Sequence, residues 1–196
     1  MDRAAKPRWL LHDANGAVMV EFALVALPLF LLIFGVVEFS YFMHRYSLAS
    51  KSVHDGLRLA IVSDPVDASL SGFRQSDIGA SPGGVMPIDS IEERVCRSSE
   101  AGVGTCTEGV FDEAAFLLIF NRMKSRAGFL SPDNVVISYR MTGLGYINDL
   151  SGMRPLITIQ LVDVSHPVLL LGLLRESSLP DLGMSLSTED LSSSWD

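Results

Sequence analysis

The chain has 196 residues, a formal net charge of −8 and a mean hydropathy of +0.32. The length allows one ordinary domain and little more. The acidic balance argues against a nucleic-acid-binding protein, because the phosphate backbone is held by clustered Lys and Arg side chains. A chain that is both acidic and hydrophobic on average indicates that its apolar residues are concentrated in one segment.

That apolar segment lies near the N-terminus. Between residues 17 and 43 only Glu21 and Glu38 are charged. A helix rises about 1.5 Å per residue and needs roughly 20 apolar residues to cross a bilayer, so the segment predicts a membrane-spanning helix. A buried core helix and a cleaved secretory signal are the alternatives. A retained anchor is favoured by the aromatic residues that follow, which are typical of a membrane interface: Phe39, Tyr41, Phe42 and Tyr46.

Composition divides the chain into four parts. We expect a polar leader at 1–16, a membrane helix with an amphipathic extension at 17–62, a folded domain at 63–176 and a flexible tail at 177–196, where serine is abundant. The membrane part of the helix covers about 17–43. The extension is predicted from apolar residues that recur near a helical period, namely Leu48, Val53, Leu57, Ala60 and Ile61.

The folded part predicts an α+β fold, with one helix packed on an antiparallel sheet. The helix is expected at 111–127, with acidic residues in its first turn and basic residues in its last. Strands are expected at 134–142 and 155–164, joined as a hairpin by a long loop. Residues 65–110 favour loops, with one short helix near 88–96. Residues 168–174 favour a third strand or a short packed helix.

The two cysteines, Cys96 and Cys106, lie in a segment rich in Ser, Gly and Thr with nine residues between them. They lack the companion His or Cys residues that a zinc site requires. The pattern therefore favours a disulfide formed in an oxidising compartment, and two unpaired cytosolic thiols are the alternative. The number of Lys and Arg residues is the same on both flanks of the apolar segment, so charge alone does not orient it.

No catalytic constellation is present in the sequence, and we predict neither an enzyme nor a cofactor nor a metal site. The four histidines are far apart, and the chain has no G-x-S-x-G, P-loop or H-E-x-x-H motif. Glu21 is the residue that stands out, because a carboxylate within lipid costs a few kcal/mol and is a functional candidate. The alternative is that Glu21 lies at the membrane interface, within reach of water.

The segment GAVMVEF, from Gly16 to Phe22, precedes the apolar run and resembles the N-terminus of type IV prepilins. In that class a glycine precedes the cleavage site and a glutamate lies five residues after it. More narrowly, residues 15–62 resemble the TadE-like pseudopilins of the tight-adherence (Flp-type) pilus machinery. The more specific matches are Glu21-Phe22, Pro28 and Gly35. Residues 96–165 resemble the family more loosely.

The resemblance implies a minor pilin-like subunit that a prepilin peptidase cuts between Gly16 and Ala17, with Glu21 and Phe22 acting in assembly. It also implies a single pass through a bacterial inner membrane, with the leader cytoplasmic and the domain periplasmic. The implied partners are the prepilin peptidase, other pilins and pseudopilins, the inner-membrane assembly platform and the lipid bilayer. The alternative is an unprocessed bitopic protein whose periplasmic domain is a binding module.

Overall fold

The computed structural model describes residues 14–71, 92–99, 103–141, 155–168 and 177–187. Most of the expected leader lies outside the described residues. So does most of the 168–174 segment, for which a strand or a short helix was expected.

Helix α1 spans Ala14–Ala60, 47 residues in all, and it is a single helix as the sequence predicts. Its first half is exposed, whereas its last turns enter the core of the domain. The residues of the predicted amphipathic extension face that core: Val53, Leu57 and Ala60 are buried, and Leu48 and Ile61 pack against them. The helix ends at Ala60, shortly before Asp64-Pro65, and proline disfavours the helical conformation in the residue that precedes it.

Two further α-helices follow within the described residues. Helix α2 is a single turn, Ala68–Ser71, and helix α3 spans Glu113–Arg126 within the predicted 111–127. Asp112 caps α3, because its Oδ1 accepts hydrogen bonds from the backbone N–H groups of Ala114 and Ala115 at 2.9 and 3.1 Å. One face of α3 is buried and carries Phe116, Ile119, Phe120 and Met123.

A five-stranded antiparallel sheet forms the second layer, in the order β2-β1-β3-β4-β7. Its strands are β1 (Arg94–Ser98), β2 (Gly104–Cys106), β3 (Val135–Arg140), β4 (Leu156–Leu161) and β7 (Leu182–Ser187). A separate two-stranded pair consists of β5 (Ser165–His166) and β6 (Ser177–Ser178). A 3-10 turn, Pro132–Asn134, leads into β3.

The predicted antiparallel pair of strands is confirmed by β3 and β4, which run side by side from Val135↔Leu161 to Arg140↔Leu156. Burial alternates along β4, with Ile157, Ile159 and Leu161 facing the core. Helices α1 and α3 pack together on this face, so that one hydrophobic core joins both helices and the sheet. The fold is therefore α+β, as predicted.

Two predictions from the sequence are wrong. Residues 94–96 belong to strand β1 and not to a helix ending near Cys96, because Cys96 pairs with Ile137 on one side and Cys106 on the other. Part of the predicted flexible tail, Leu182–Ser187, is strand β7 at the edge of the main sheet. Leu182 and Met184 of this strand pack against the core. A prediction from composition overlooks them, because the segment is rich in serine.

Helices α1 and α3 are in close contact at Gly56, which is buried. A Cβ placed there would lie 2.5 Å from Cγ and 2.7 Å from Sδ of Met123. A side chain larger than hydrogen at this position therefore has to shift the Met123 side chain within the core.

We expect Gly56→Leu to lower the free energy of unfolding of the domain by about 1–3 kcal/mol, because overpacking forces helix α3 or its side chains to move. Chemical denaturation of the purified chain, followed by near-UV circular dichroism, measures the change. Gly35→Leu is the matched control, since a Cβ on Gly35 has no neighbour within 4 Å. Equal stability of the two variants would contradict the packing described here.

Candidate functional site

The residues of the predicted processing and assembly site lie in the first turns of α1, and Gly16, Ala17, Glu21 and Phe22 are all exposed. The helix begins at Ala14 and continues without interruption through the Gly16–Ala17 bond. Residues four apart on a helix share a face, with Cβ atoms about 5–6 Å apart. The backbone of Ala17 and the carboxylate of Glu21 are therefore on the same side of α1.

Within the part of the chain that the structure describes, no residue covers the segment of α1 from 16 to 37, which we call the uncovered segment. Its large apolar side chains are 45–73% exposed, and no residue of the most apolar window is buried. These 22 residues extend about 33 Å along the axis, close to the roughly 30 Å hydrocarbon core of a bilayer. Glu21 lies about 7.5 Å along the axis from Gly16, in the outer quarter of this length.

Protein contacts begin immediately after this segment, at Glu38. The Nε2 atom of His166 in β5 lies 3.9 Å from Oε1 of Glu38. The His166 ring also contacts Tyr41 and Phe42, with centroid distances of 5.5 and 5.3 Å. The predicted membrane part, about 17–43, therefore overlaps a contact between α1 and the domain. We refer to Glu38, Tyr41, Phe42, Arg45 and His166 as the junction.

Arg45 completes the junction on the side of α3. It is buried, and its guanidinium carbon lies 4.0 Å from the ring centroid of Phe129, just beyond the end of that helix. A cation over an aromatic face is attractive, and the contact joins α1 to the segment that follows α3. Neither Arg45 nor His166 was predicted to have a role, because each is a single polar residue and its neighbours are distant in the sequence.

The surroundings of His166 favour the neutral form of its imidazole. Burial lowers its pKa from the ordinary value of 6.5, because desolvation disfavours the charged imidazolium. The positive charge of Arg45 lowers the pKa further, whereas the carboxylate of Glu38 opposes the shift. A proton added to His166 therefore has to enter a buried site that already holds the Arg45 cation.

The two cysteines form a disulfide, and their Cα atoms lie 4.1 Å apart. Cys96 in β1 and Cys106 in β2 are directly opposite each other in the sheet. The same row continues through Ile137, Ile159 and Met184 on the three remaining strands. Cys96 is fully buried in the core, so the disulfide closes one end of a row of core side chains.

A buried carboxylate, Asp67, supports the loops next to the disulfide. Its Oδ1 accepts hydrogen bonds from the backbone N–H groups of Ser69 and Val110, at 3.0 and 3.1 Å, and from the Ser69 hydroxyl at 2.6 Å. Arg94 Nη1 lies 4.0 Å from Oδ2. A Cβ on Gly109 would overlap this carboxylate, so the glycine makes the approach of the two loops feasible. The sequence pattern did not indicate this role for Asp67.

The predicted site residues thus lie in two separate parts of the structure. Gly16, Ala17, Glu21 and Phe22 are together on the uncovered part of α1, whereas Cys96 and Cys106 are inside the domain. Within the described ranges, no group of three or more His, Cys, Asp or Glu side chains is arranged to hold a metal ion.

Among the described residues, these features define one apolar helix that is long enough to cross a membrane and that continues into the core of a small α+β domain. A family model described as TadE-like protein matches residues 16–58, which are 43 of the 196 residues. The match confirms the predicted resemblance over α1 and is consistent with a pilin-like protein associated with a Tad pilus. Neither the curated proteins nor the solved structures include a match.

We expect the domain to lose stability as the pH falls below about 6.5 toward the lowered pKa of His166, because the unfolded chain then binds a proton that the folded junction resists. At higher pH both states are neutral and the stability is fully present. Melting curves from about pH 7.5 to about pH 5.5 measure this slope. His166→Gln should reduce the slope, whereas His54→Gln, at an exposed position, should leave it unchanged. An unaltered slope in His166→Gln would contradict the assignment.

We expect reduction of the disulfide to lower the free energy of unfolding by about 2–3 kcal/mol, because it releases the loop between Cys96 and Cys106 in the unfolded chain. Denaturation with and without a thiol reductant measures the difference, and the Cys96→Ser, Cys106→Ser double variant is the control that should not respond to the reductant. Full thiol labelling of the native, unreduced protein would contradict the disulfide.

Proposed function

We propose that this chain is a minor pilin-like subunit that helps to assemble a tight-adherence type IV pilus and is cut by a prepilin peptidase after Gly16. The observation that carries the proposal is the uncovered segment 16–37 of α1, which begins with the Gly16–Phe22 motif and has the length of a bilayer core. The TadE-like match over 16–58 supports the same assignment.

The chain crosses the inner membrane once, with the leader in the cytoplasm and the domain in the periplasm. Support for this orientation comes from the Cys96–Cys106 disulfide, since disulfides form and persist outside the reducing cytosol. The junction supports the position of the membrane, because Glu38 and the aromatic residues Tyr41 and Phe42 follow directly on the uncovered segment. Polar and aromatic side chains of this kind are typical of a membrane–water interface.

Glu21 is the assembly residue in this proposal. Cleavage after Gly16 gives Ala17 a free α-amino group, one helical turn from the Glu21 carboxylate along α1. A carboxylate and an amine that are both in lipid gain by pairing, because each alone pays a desolvation cost of several kcal/mol. Pairing between the Ala17 amine of one subunit and Glu21 of its neighbour fixes how far one helix is shifted along the other. Phe22 packs beside this pair.

The partners of the proposed subunit are the prepilin peptidase, other pilins and pseudopilins, and the inner-membrane assembly platform. No catalytic role is assigned to the chain itself. A second candidate is an unprocessed bitopic protein whose periplasmic domain binds a partner. It is favoured by the continuity of α1 through the Gly16–Ala17 bond, which leaves this bond without an extended conformation in the free chain.

We expect coexpression with a prepilin peptidase to give a mature chain that begins at Ala17. Mass spectrometry of the intact purified protein measures the loss of residues 1–16. Gly16→Ala should block the cut, because a glycine immediately before the scissile bond is part of the prepilin-like motif. Gly35→Ala, on the same helix, is the matched control. A wild-type chain that retains its leader in the presence of active peptidase would overturn the proposal.

We expect Glu21→Ala to abolish copurification with other pilin subunits while membrane insertion is retained, because the change removes a charge and leaves the apolar helix intact. Membrane fractionation and affinity copurification measure the two outcomes separately. Glu21→Gln keeps the size and polarity of the side chain, and it should also fail to assemble if the charge is what matters. Normal assembly of both variants would favour the second candidate.

A further inference from the structure

A groove lies between the last turns of α1 and the C-terminal half of α3, on the surface of the domain. It is lined by Asp55, Arg58 and Leu59 of α1, by Val62 just beyond the end of that helix, and by Arg122 of α3. Its volume is about 450 Å³. We call it the α1–α3 groove.

The groove has an excess of positive charge. The carboxylate of Asp55 is already bound by Arg126, whose Nε lies 3.0 Å from Oδ2. Within the described part of the chain, Arg58 and Arg122 make neither an ion pair nor a side-chain hydrogen bond, and both are exposed. Two unpaired guanidinium groups on one groove, in a chain whose net charge is −8, create a local site for anions.

The groove also exposes apolar surface. Val62 is 40% exposed and Leu59 is half-buried. A free inorganic anion would use the arginines and leave these side chains uncovered. An occupant that fits both features has carboxylates together with an apolar side chain, which is the chemistry of an acidic protein segment.

Lipid headgroups are too far away to be the occupant. Arg58 lies 20 residues beyond Glu38 on the same helix, which places it about 30 Å farther along the axis than the end of the uncovered segment. The headgroup region on each side of a bilayer is only about 5–8 Å thick. The occupant therefore has to come from the aqueous side of the junction.

We infer that the α1–α3 groove is a docking site for an acidic segment of a partner protein. The carboxylates of this segment pair with Arg58 and Arg122, and an apolar side chain between them covers Leu59 and Val62. Charge complementarity carries the inference, because Arg58 and Arg122 present two unpaired positive charges on one groove and attract the carboxylates of an acidic segment. The inference rests on the proposed membrane position of segment 16–37 for the exclusion of lipid, but it does not depend on cleavage at Gly16 or on Glu21, so failure at the processing site leaves it intact.

The test uses the full chain in nanodiscs of phosphatidylcholine and two labelled probe peptides, Asp-Leu-Asp-Asp-Leu and its Asn-Leu-Asn-Asn-Leu counterpart. Fluorescence anisotropy measures binding at low and high salt. We expect the acidic peptide to bind at least about tenfold more tightly than the Asn peptide, and high salt to reduce this difference. Arg58→Glu and Arg122→Glu should each weaken the binding of the acidic peptide by at least about tenfold.

Arg140→Glu is the matched control, because Arg140 is exposed on β3 and outside the groove, and the substitution changes the net charge by the same amount. It should leave binding unchanged. Melting curves establish that each variant is folded, and Arg58→Gln and Arg122→Gln provide milder changes at the same positions. An equal loss in all three charge-reversal variants, or no binding of the acidic peptide at about 1 mM, would overturn the inference.

Two further outcomes would overturn it in favour of another occupant. If vesicles that contain phosphatidylglycerol displace the peptide through Arg58 and Arg122, the groove binds a lipid surface. If the chain self-associates, and Arg58→Glu abolishes this association without any effect on peptide binding, the groove binds a second copy of the chain. Analytical ultracentrifugation of the wild type and the variant measures the second outcome.

Discussion

The packing of the last turns of α1 against α3 and the sheet is the contact on which the rest of the structure depends. The N-terminal part of the helix is exposed, whereas its C-terminal part packs in the core of the domain. The change from one to the other takes place between Glu38 and Arg45, within about two turns. From Phe22 to Val37 the side chains are apolar on all sides, whereas beyond Arg45 only one face is apolar and that face is buried. Gly56 lets Met123 approach closely enough to close this core. Without the packing of α1, the sheet would lose one of the two helices that cover it.

The rest of the domain is organised around the side of the sheet that α1 and α3 cover. The row of side chains from the Cys96–Cys106 disulfide to Met184 crosses all five strands of the main sheet. A covalent bond therefore lies at one edge of this row and an apolar side chain at the other. The loop that follows α1 is tied to β3 by Val66, whose backbone N–H donates to the Tyr139 hydroxyl at 2.9 Å. Burial raises the pKa of Tyr139, which keeps that hydroxyl protonated.

Sequence reasoning was most successful where one physical signal ran through many neighbouring residues. The apolar run and helical spacing of α1, the buried face of α3 and the alternation in β4 were all of this kind. The signal failed for β1, where Cys96 is buried by partners distant in the sequence. It failed for β7 as well, where Leu182, Met184 and Leu186 alternate with Gly and Ser in a segment that composition describes as a tail. The junction could not be predicted, since His166 meets Glu38 and Arg45 only through the fold.

The unbroken course of α1 has a mechanical consequence. Its 47 residues form a rod of about 70 Å, and the last third of that rod is embedded in the domain. Pro28 lacks an N–H group, so the rod loses one hydrogen bond near the middle of its uncovered segment and is most compliant there. Beyond that residue the helix has no hinge of this type before the junction. A torque or a pull applied near Val37 is therefore transmitted directly to the domain. The orientation of the helix between Pro28 and Val37 determines the orientation of the domain.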